Sequence, residues 1–257
     1  MEQRLLEQCL LGRRELERLV MNGGRLSMAA RAYIVGLSAV AVAVGIALVR
    51  TSGSGPLVGT FIVLTGLGML THAFPVQGLR HQAYQVTLPF IITGAALFSA
   101  TQLITFVVLI HLAEQVRLRR RLHIQWFNLC NYFVSAAMAA GFFHRAIALL
   151  PEGAPGQVAA AMAAGCTFVA LNRAFLAGAL WLARGLSPAA SGLLLPRLLA
   201  ADLIIAWIAG PMLVLTLQAG PWMVLVTAGP LLLARTALSV LVPRRRHPAR
   251  QARARAA

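Results

Sequence analysis

The sequence predicts an all-α, polytopic membrane helical bundle, with about six full spans plus a hairpin of two short helices, about eight segments in all. Three observations predict it. The chain is 59% hydrophobic and only 12% charged, where a soluble domain carries about 25% charged residues; its mean hydropathy is +0.75. Several apolar tracts approach the roughly 20 residues that a helix needs to cross a bilayer. The basic residues are all arginine, 23 of them with no lysine. Most stand in short tracts beside one set of span ends, as the positive-inside bias requires.

A net charge of +16 against seven acids also raises nucleic acid as a partner. The arginines' place beside apolar spans favours anionic lipid instead, so the bilayer is the expected partner and nucleic acid is not. Cys9, Cys130 and Cys166 are far apart and form no CxxC pair, which points to neither a disulfide framework nor a metal site.

Residues 1–28 carry an apolar stripe (Leu5, Leu6, Cys9, Leu10, Leu16, Leu19, Val20) with Glu and Arg between. This predicts a cytoplasmic amphipathic helix, ended by Asn22-Gly23-Gly24, that lies on lipid or pairs with its copy in a homodimer. The charged stretch before the first apolar tract is too long and too acidic for a secretory signal. Residues 29–242 form the expected membrane domain. The first span is Ala29–Val49, flanked by Arg31 and Arg50, and the second is Pro56–Phe74, with His72 near its inner end.

Val86–Val116 is ambiguous. One helix over that tract would be about 46 Å long, too long for a core of about 30 Å. Two short helices, broken near Ser99-Ala100-Thr101-Gln102, are each too short to span without tilt or thinning. Charge decides: a hairpin returns Arg117, Arg119, Arg120 and Arg121 to the inner face beside Arg80, whereas a single crossing exports them.

Gln125–Leu149 then goes out and Gln157–Ala183 returns. Leu198–Gln218 goes out, with a kink expected at Gly210-Pro211, and Trp222–Val242 returns. Residues 243–257 read as a basic, disordered cytoplasmic tail. In this arrangement only Arg50 and Arg145 lie at the outer side and only Arg173 and Arg235 within spans. Both termini are expected in the cytoplasm.

A resemblance enters with the run MLTHAFPV, then VTLPFIITGAALFSA, the arginine tract, FNLCNYFVSAAMAAG and finally LLLARTALSV, Leu231 to Val240. Together these resemble the multi-pass membrane sensor region that precedes bacterial GGDEF and HD-GYP cyclic-di-GMP signalling domains, over roughly residues 29–242. The chain has neither a GGDEF nor an HD-GYP motif. The resemblance therefore implies a sensor module of the bacterial cytoplasmic membrane without its own catalytic output, signalling to a separate cytoplasmic protein. The short broken helices are also similar to the substrate-binding membrane subunits of energy-coupling-factor transporters, which implies a transport component as the alternative.

Ionisable groups within spans are costly and mark functional sites. Asp202 is the only aspartate, and Arg173 and Arg235 lie on the neighbouring spans. A pair between Asp202 and one of these arginines avoids an isolated buried charge. Asn172 beside Arg173, and Asn128 and Asn131 on the fifth span, offer hydrogen bonds to a ligand or between helices. The expected site for an unknown small molecule is thus Asn128, Asn131, Asn172, Arg173, Asp202 and Arg235. His111 and Glu114 share a helical face, but two ligands are too few for a metal, and His72 and His144 lie near opposite faces. No HExxH, GxSxG or phosphate-cradling loop is present. With Glu114 and Asp202 the only acids in the spans, neither a catalytic constellation nor a cofactor is expected.

Single cysteines at 120, 153 and 219 of a cysteine-free variant test this topology. Impermeant reagent outside the cell should label 153 and 219 but not 120. Strong labelling at 120 would remove the hairpin.

Overall fold

A computed structural model describes residues 26–51, 58–74, 76–77, 83–84 and 86–230. Most of the expected amphipathic helix, the basic tail, the later part of the last span and Arg235 lie outside the described residues.

The described residues are overwhelmingly helical. In chain order they form α1 Met28–Thr51, α2 Val58–Ala73, α3 Leu88–Leu97, α4 Ala100–Leu118, α5 Leu122–Ile147, α6 Ala154–Arg184, α7 Pro196–Trp207 and α8 Ala209–Ala219, and residues 223–230 are again helical. Between α2 and α3, the strands β1 Val76–Gln77 and β2 Ala83–Tyr84 pair antiparallel, a small ribbon where a plain loop was expected. Among the described residues, four helical stretches are long and apolar enough to cross a membrane: α1, α4, α6 and the α7–α8 pair. α2 and α3 are shorter apolar helices, of 16 and 10 residues, so length alone does not make the expected six spans. Val35, Val42, Ile46, Ile62, Leu112, Trp181 and Ile204 are each more than half exposed. An apolar exterior of this extent suits lipid rather than water.

A ten-residue helix, α3, is the centre of the bundle. Every residue of α3 from Leu88 to Ala96 is buried, and the helix packs against α2, α5, α6, α7 and α8. Its direction follows from the side chains at its two ends. Phe98, just past α3, stacks edge-on with Phe61 near the start of α2 at 5.3 Å. Thr87, just before α3, meets His72 at the end of α2. α3 therefore runs antiparallel to α2. Phe106 packs on Gly68, where a Cβ would lie 2.7 Å from the ring, and His111 meets His72. So α4 runs parallel to α2, with Gly68 permitting the close approach. The tract 86–116 is a hairpin, as the charge argument requires.

Its break lies at Phe98-Ser99, where both residues are extended, at the start of the expected window. The local sequence explains why. Ser99 accepts from the Gln102 amide while the Gln102 side chain accepts from the Ser99 amide, a reciprocal capping box that starts α4. The expected kink near Gly210-Pro211 also appears, as the interruption between α7 and α8 at Ile208. Pro211 has no N–H to give the carbonyl of Trp207 and its ring crowds that turn, so α7 ends there.

The other helices alternate in direction. α1 and α5 run parallel, with Trp126 Nε1 donating to Ser38 Oγ at 2.8 Å and Phe133 against Gly45. α5 and α6 are antiparallel neighbours, and Ala136, Ala139, Ala160, Ala161 and Ala164 on them are all buried, small residues of the kind that let helices pack closely in lipid. Ser27 caps α1 through the Ala30 amide and donates to Leu182 O near the end of α6, which fixes both at the same level.

Candidate functional site

Among the described residues two clusters of buried polar side chains stand out, and they differ in how well they are satisfied. The first joins α5, α6 and α7. Asn131 Nδ2 donates to Asn172 Oδ1 at 2.7 Å, and Ser135 Oγ donates to Asn131 Oδ1 at 3.3 Å. One residue along α6, Arg173 Nε donates to Asp202 Oδ2 at 2.9 Å, and Nη2 of the same guanidinium bonds that oxygen too. Arg173 and Asp202 are both buried. Of the two candidate partners for Asp202, the described residues pair it with Arg173; Arg235 lies outside them. Asn128 is half-buried, one turn before Asn131 on α5. The structure thus unites Asn131, Asn172, Arg173 and Asp202. Each charge there has its counterpart and each of the two amides has a partner, as interhelical polar contacts in a membrane require.

The second group, at the junction of α2, α4 and α5, is one that sequence reasoning missed. α2 and α4 run parallel, which sets His72 beside His111, and one turn further along α4 lies Glu114. The three are 8%, 1% and 5% exposed. His72 Nε2 lies 3.3 Å from His111 Nδ1, and Glu114 Oε2 lies 3.5 Å from both nitrogens. Three donor atoms from two helices thus converge on one point. Tyr132 walls the cluster, its ring edge-on to both imidazoles at 5.3 and 4.9 Å.

The surroundings hold these groups in place. Thr87 Oγ1 lies 3.4 Å from His72 Nδ1. Gln125 Nε2 donates to the His111 carbonyl at 2.6 Å. Arg120 reaches back from the loop between α4 and α5, and its Nη2 donates to Glu114 Oε1 at 2.9 Å. The loop is shaped for that reach: Arg119 takes the left-handed conformation at φ 47° and its N–H closes on Gln115 O, while Gln115 Nε2 donates to Arg120 O at 3.0 Å. Arg117 lies over the Phe74 ring, 3.5 Å from its centroid, a cation–π contact next to the cluster.

Around this cluster Glu114 Oε2, His111 Nε2, Gln125 Oε1, Gln115 Oε1 and Arg120 Nε are buried without a hydrogen bond, as are Thr65 Oγ1 and Thr93 Oγ1 elsewhere among the described residues. Such atoms are costly in an apolar interior and call for an explanation. The sequence held one usable signal. A hairpin over 86–116 returns His111 and Glu114 to the depth of His72, so all three belong at one level. Their lateral contact is a matter of tertiary packing.

The Arg173–Asp202 pair generates a test. Asp202→Asn leaves Arg173 uncompensated and should lower stability in detergent by about 3–5 kcal/mol, the cost of breaking a buried pair from one side, reduced where snorkelling relieves the arginine. Thermal unfolding of Asp202→Asn with Arg173→Gln should recover part of that loss. A single variant as stable as wild type would show that the pair does not hold α6 to α7.

Compared with protein-family models, with curated proteins and with solved structures, the chain matches none.

Proposed function

We propose that this protein is a ligand-binding sensor module of the bacterial cytoplasmic membrane, reporting occupancy to a cytoplasmic partner. The reading includes the finer topology: eight segments, with both termini and the Arg117–Arg121 loop in the cytoplasm. One observation carries it. The incompletely satisfied cluster of His72, His111 and Glu114 is tied to the arginine loop by a single side chain, Arg120, bonded at 2.9 Å to the carboxylate that a ligand would engage.

Intramembrane ionisable groups are functional sites by default. A ligand on Glu114 competes with or redirects Arg120, and Arg120 sits in the loop facing the partner. Occupancy thereby acts on loop conformation through a charge-assisted hydrogen bond. The neighbouring Asn131–Asn172 and Arg173–Asp202 contacts supply the rigid frame. They adjoin the cluster through Tyr132, which follows Asn131 on α5 and packs on Phe168 of α6 at 5.6 Å.

Native mass spectrometry of protein in nanodiscs of its own membrane lipid, paired with hydrogen exchange over residues 115–125, tests this reading. The expected result is a bound species lighter than a phospholipid, diminished in Glu114→Gln, whose removal changes exchange in that segment. No bound species together with wild-type exchange in Glu114→Gln would contradict it. In sealed vesicles, retention of the species on the protein separates sensing from the transport alternative, in which the species crosses the bilayer.

A further inference from the structure

We infer that His72, His111 and Glu114 form a site for a divalent first-row transition ion, with zinc the best fit. The inference rests on the ligand-module reading above and names the chemical class of its ligand.

The separations decide it. A charge-assisted N–H···O bond is about 2.7–2.9 Å long. Glu114 Oε2 stands 3.5 Å from each imidazole nitrogen, too far for a carboxylate gripping two N–H donors. Tetrahedral zinc bonds His nitrogen and carboxylate oxygen at about 2.0–2.1 Å, and the edge of such a tetrahedron is therefore about 3.3–3.4 Å. The observed triangle, with sides of 3.3, 3.5 and 3.5 Å, has the size of one face of that tetrahedron. The Arg120–Glu114 bond on the other carboxylate oxygen is 2.9 Å long, so the long distances belong to the convergent atoms and not to the carboxylate as a whole.

The donor chemistry agrees. When His72 gives its Nδ1–H to Thr87 Oγ1, 3.4 Å away, its Nε2 lone pair faces the cluster. Gln125 Nε2 donates to the His111 carbonyl and stands 3.4 Å from His111 Nδ1, and an amide NH2 beside that nitrogen favours the tautomer that keeps its lone pair on Nδ1. Glu114 Oε2 has no hydrogen bond of its own. In these tautomers three lone pairs converge, with separations of 3.3, 3.5 and 3.5 Å, an arrangement that a cation relieves. Thr87 and Arg120 occupy the outer positions that orient metal-bound imidazole and carboxylate. Two imidazoles and one carboxylate suit zinc and its neighbours rather than calcium or magnesium, which prefer oxygen alone.

The test uses Co2+ as a spectroscopic probe on full-length protein stripped with chelator. Wild type should develop the intense visible bands of four-coordinate Co2+, saturate at one equivalent per chain, and lose them to Zn2+. Glu114→Gln and His72→Asn should abolish the bands. Thr87→Val keeps all three ligands and should weaken Co2+ affinity by roughly 10–100-fold, the usual effect of losing an outer partner. This variant also decides the matter if a ligand variant does not fold. His144→Asn, at an exposed site on α5, should bind as wild type does. Absence of the bands in wild type, or their survival in Glu114→Gln, overturns the site. Loss of the metal site with a different small molecule still bound leaves the ligand-module reading intact. Metal binding that leaves exchange over 115–125 unchanged confirms the site and overturns the sensor.

Discussion

The structure turns on the cost of holding the Glu114 carboxylate inside an apolar bundle. An isolated carboxylate there is prohibitively expensive, and the usual solutions are a cationic partner or a metal ion. Arg120 is the cation that reaches it, at 2.9 Å, with its own side chain 38% exposed and so partly solvated. That one contact fixes several others. It bends the chain back between α4 and α5, places Arg119 in the left-handed region, and aims the second carboxylate oxygen at the two imidazoles. The arginine tract is thus more than a set of helix flanks; its third member, Arg120, pairs with a buried carboxylate.

The two buried polar groups follow different logic. Arg173–Asp202 and Asn131–Asn172 join helices that a membrane cannot otherwise hold by the hydrophobic effect, and their partners lie within the group. The histidine–glutamate cluster gains no comparable closure, since Glu114 Oε2 lies beyond hydrogen-bond length of its neighbours. Satisfied contacts make a frame, and unsatisfied convergent donors make a site. The frame touches the site at Tyr132, so the packing of α5 on α6 helps set the width of the metal-sized gap.

Much of this was legible in the chain. Arginine placement yields the hairpin over 86–116, and the Ser99-to-Gln102 spacing is a capping-box signature that marks its break. Pro211 marks the end of α7. The only aspartate needs an arginine, and Arg173 was one of two at hand. What the sequence hides is lateral adjacency. Periodicity and charge give depth along the membrane normal, so His72, His111 and Glu114 can be assigned one level. Which helices touch at that level depends on α3 lying at the centre and on Gly68 admitting Phe106, and neither fact has a local signature. Arg120 is hidden for another reason: in a run of arginines, every member reads as a flank.

A double-mutant cycle on Arg120 and Glu114, read by thermal unfolding in detergent, tests the central claim most directly. If the loop arginine compensates the buried carboxylate, Arg120→Gln destabilises more than Glu114→Gln, because it leaves a charge unpaired in the interior. The two changes together then cost less than their sum, with a coupling of about 1–2 kcal/mol once the partial exposure of Arg120 is discounted. Additive effects, with Arg120→Gln within about 0.5 kcal/mol of wild type as for an ordinary surface residue, would contradict the account.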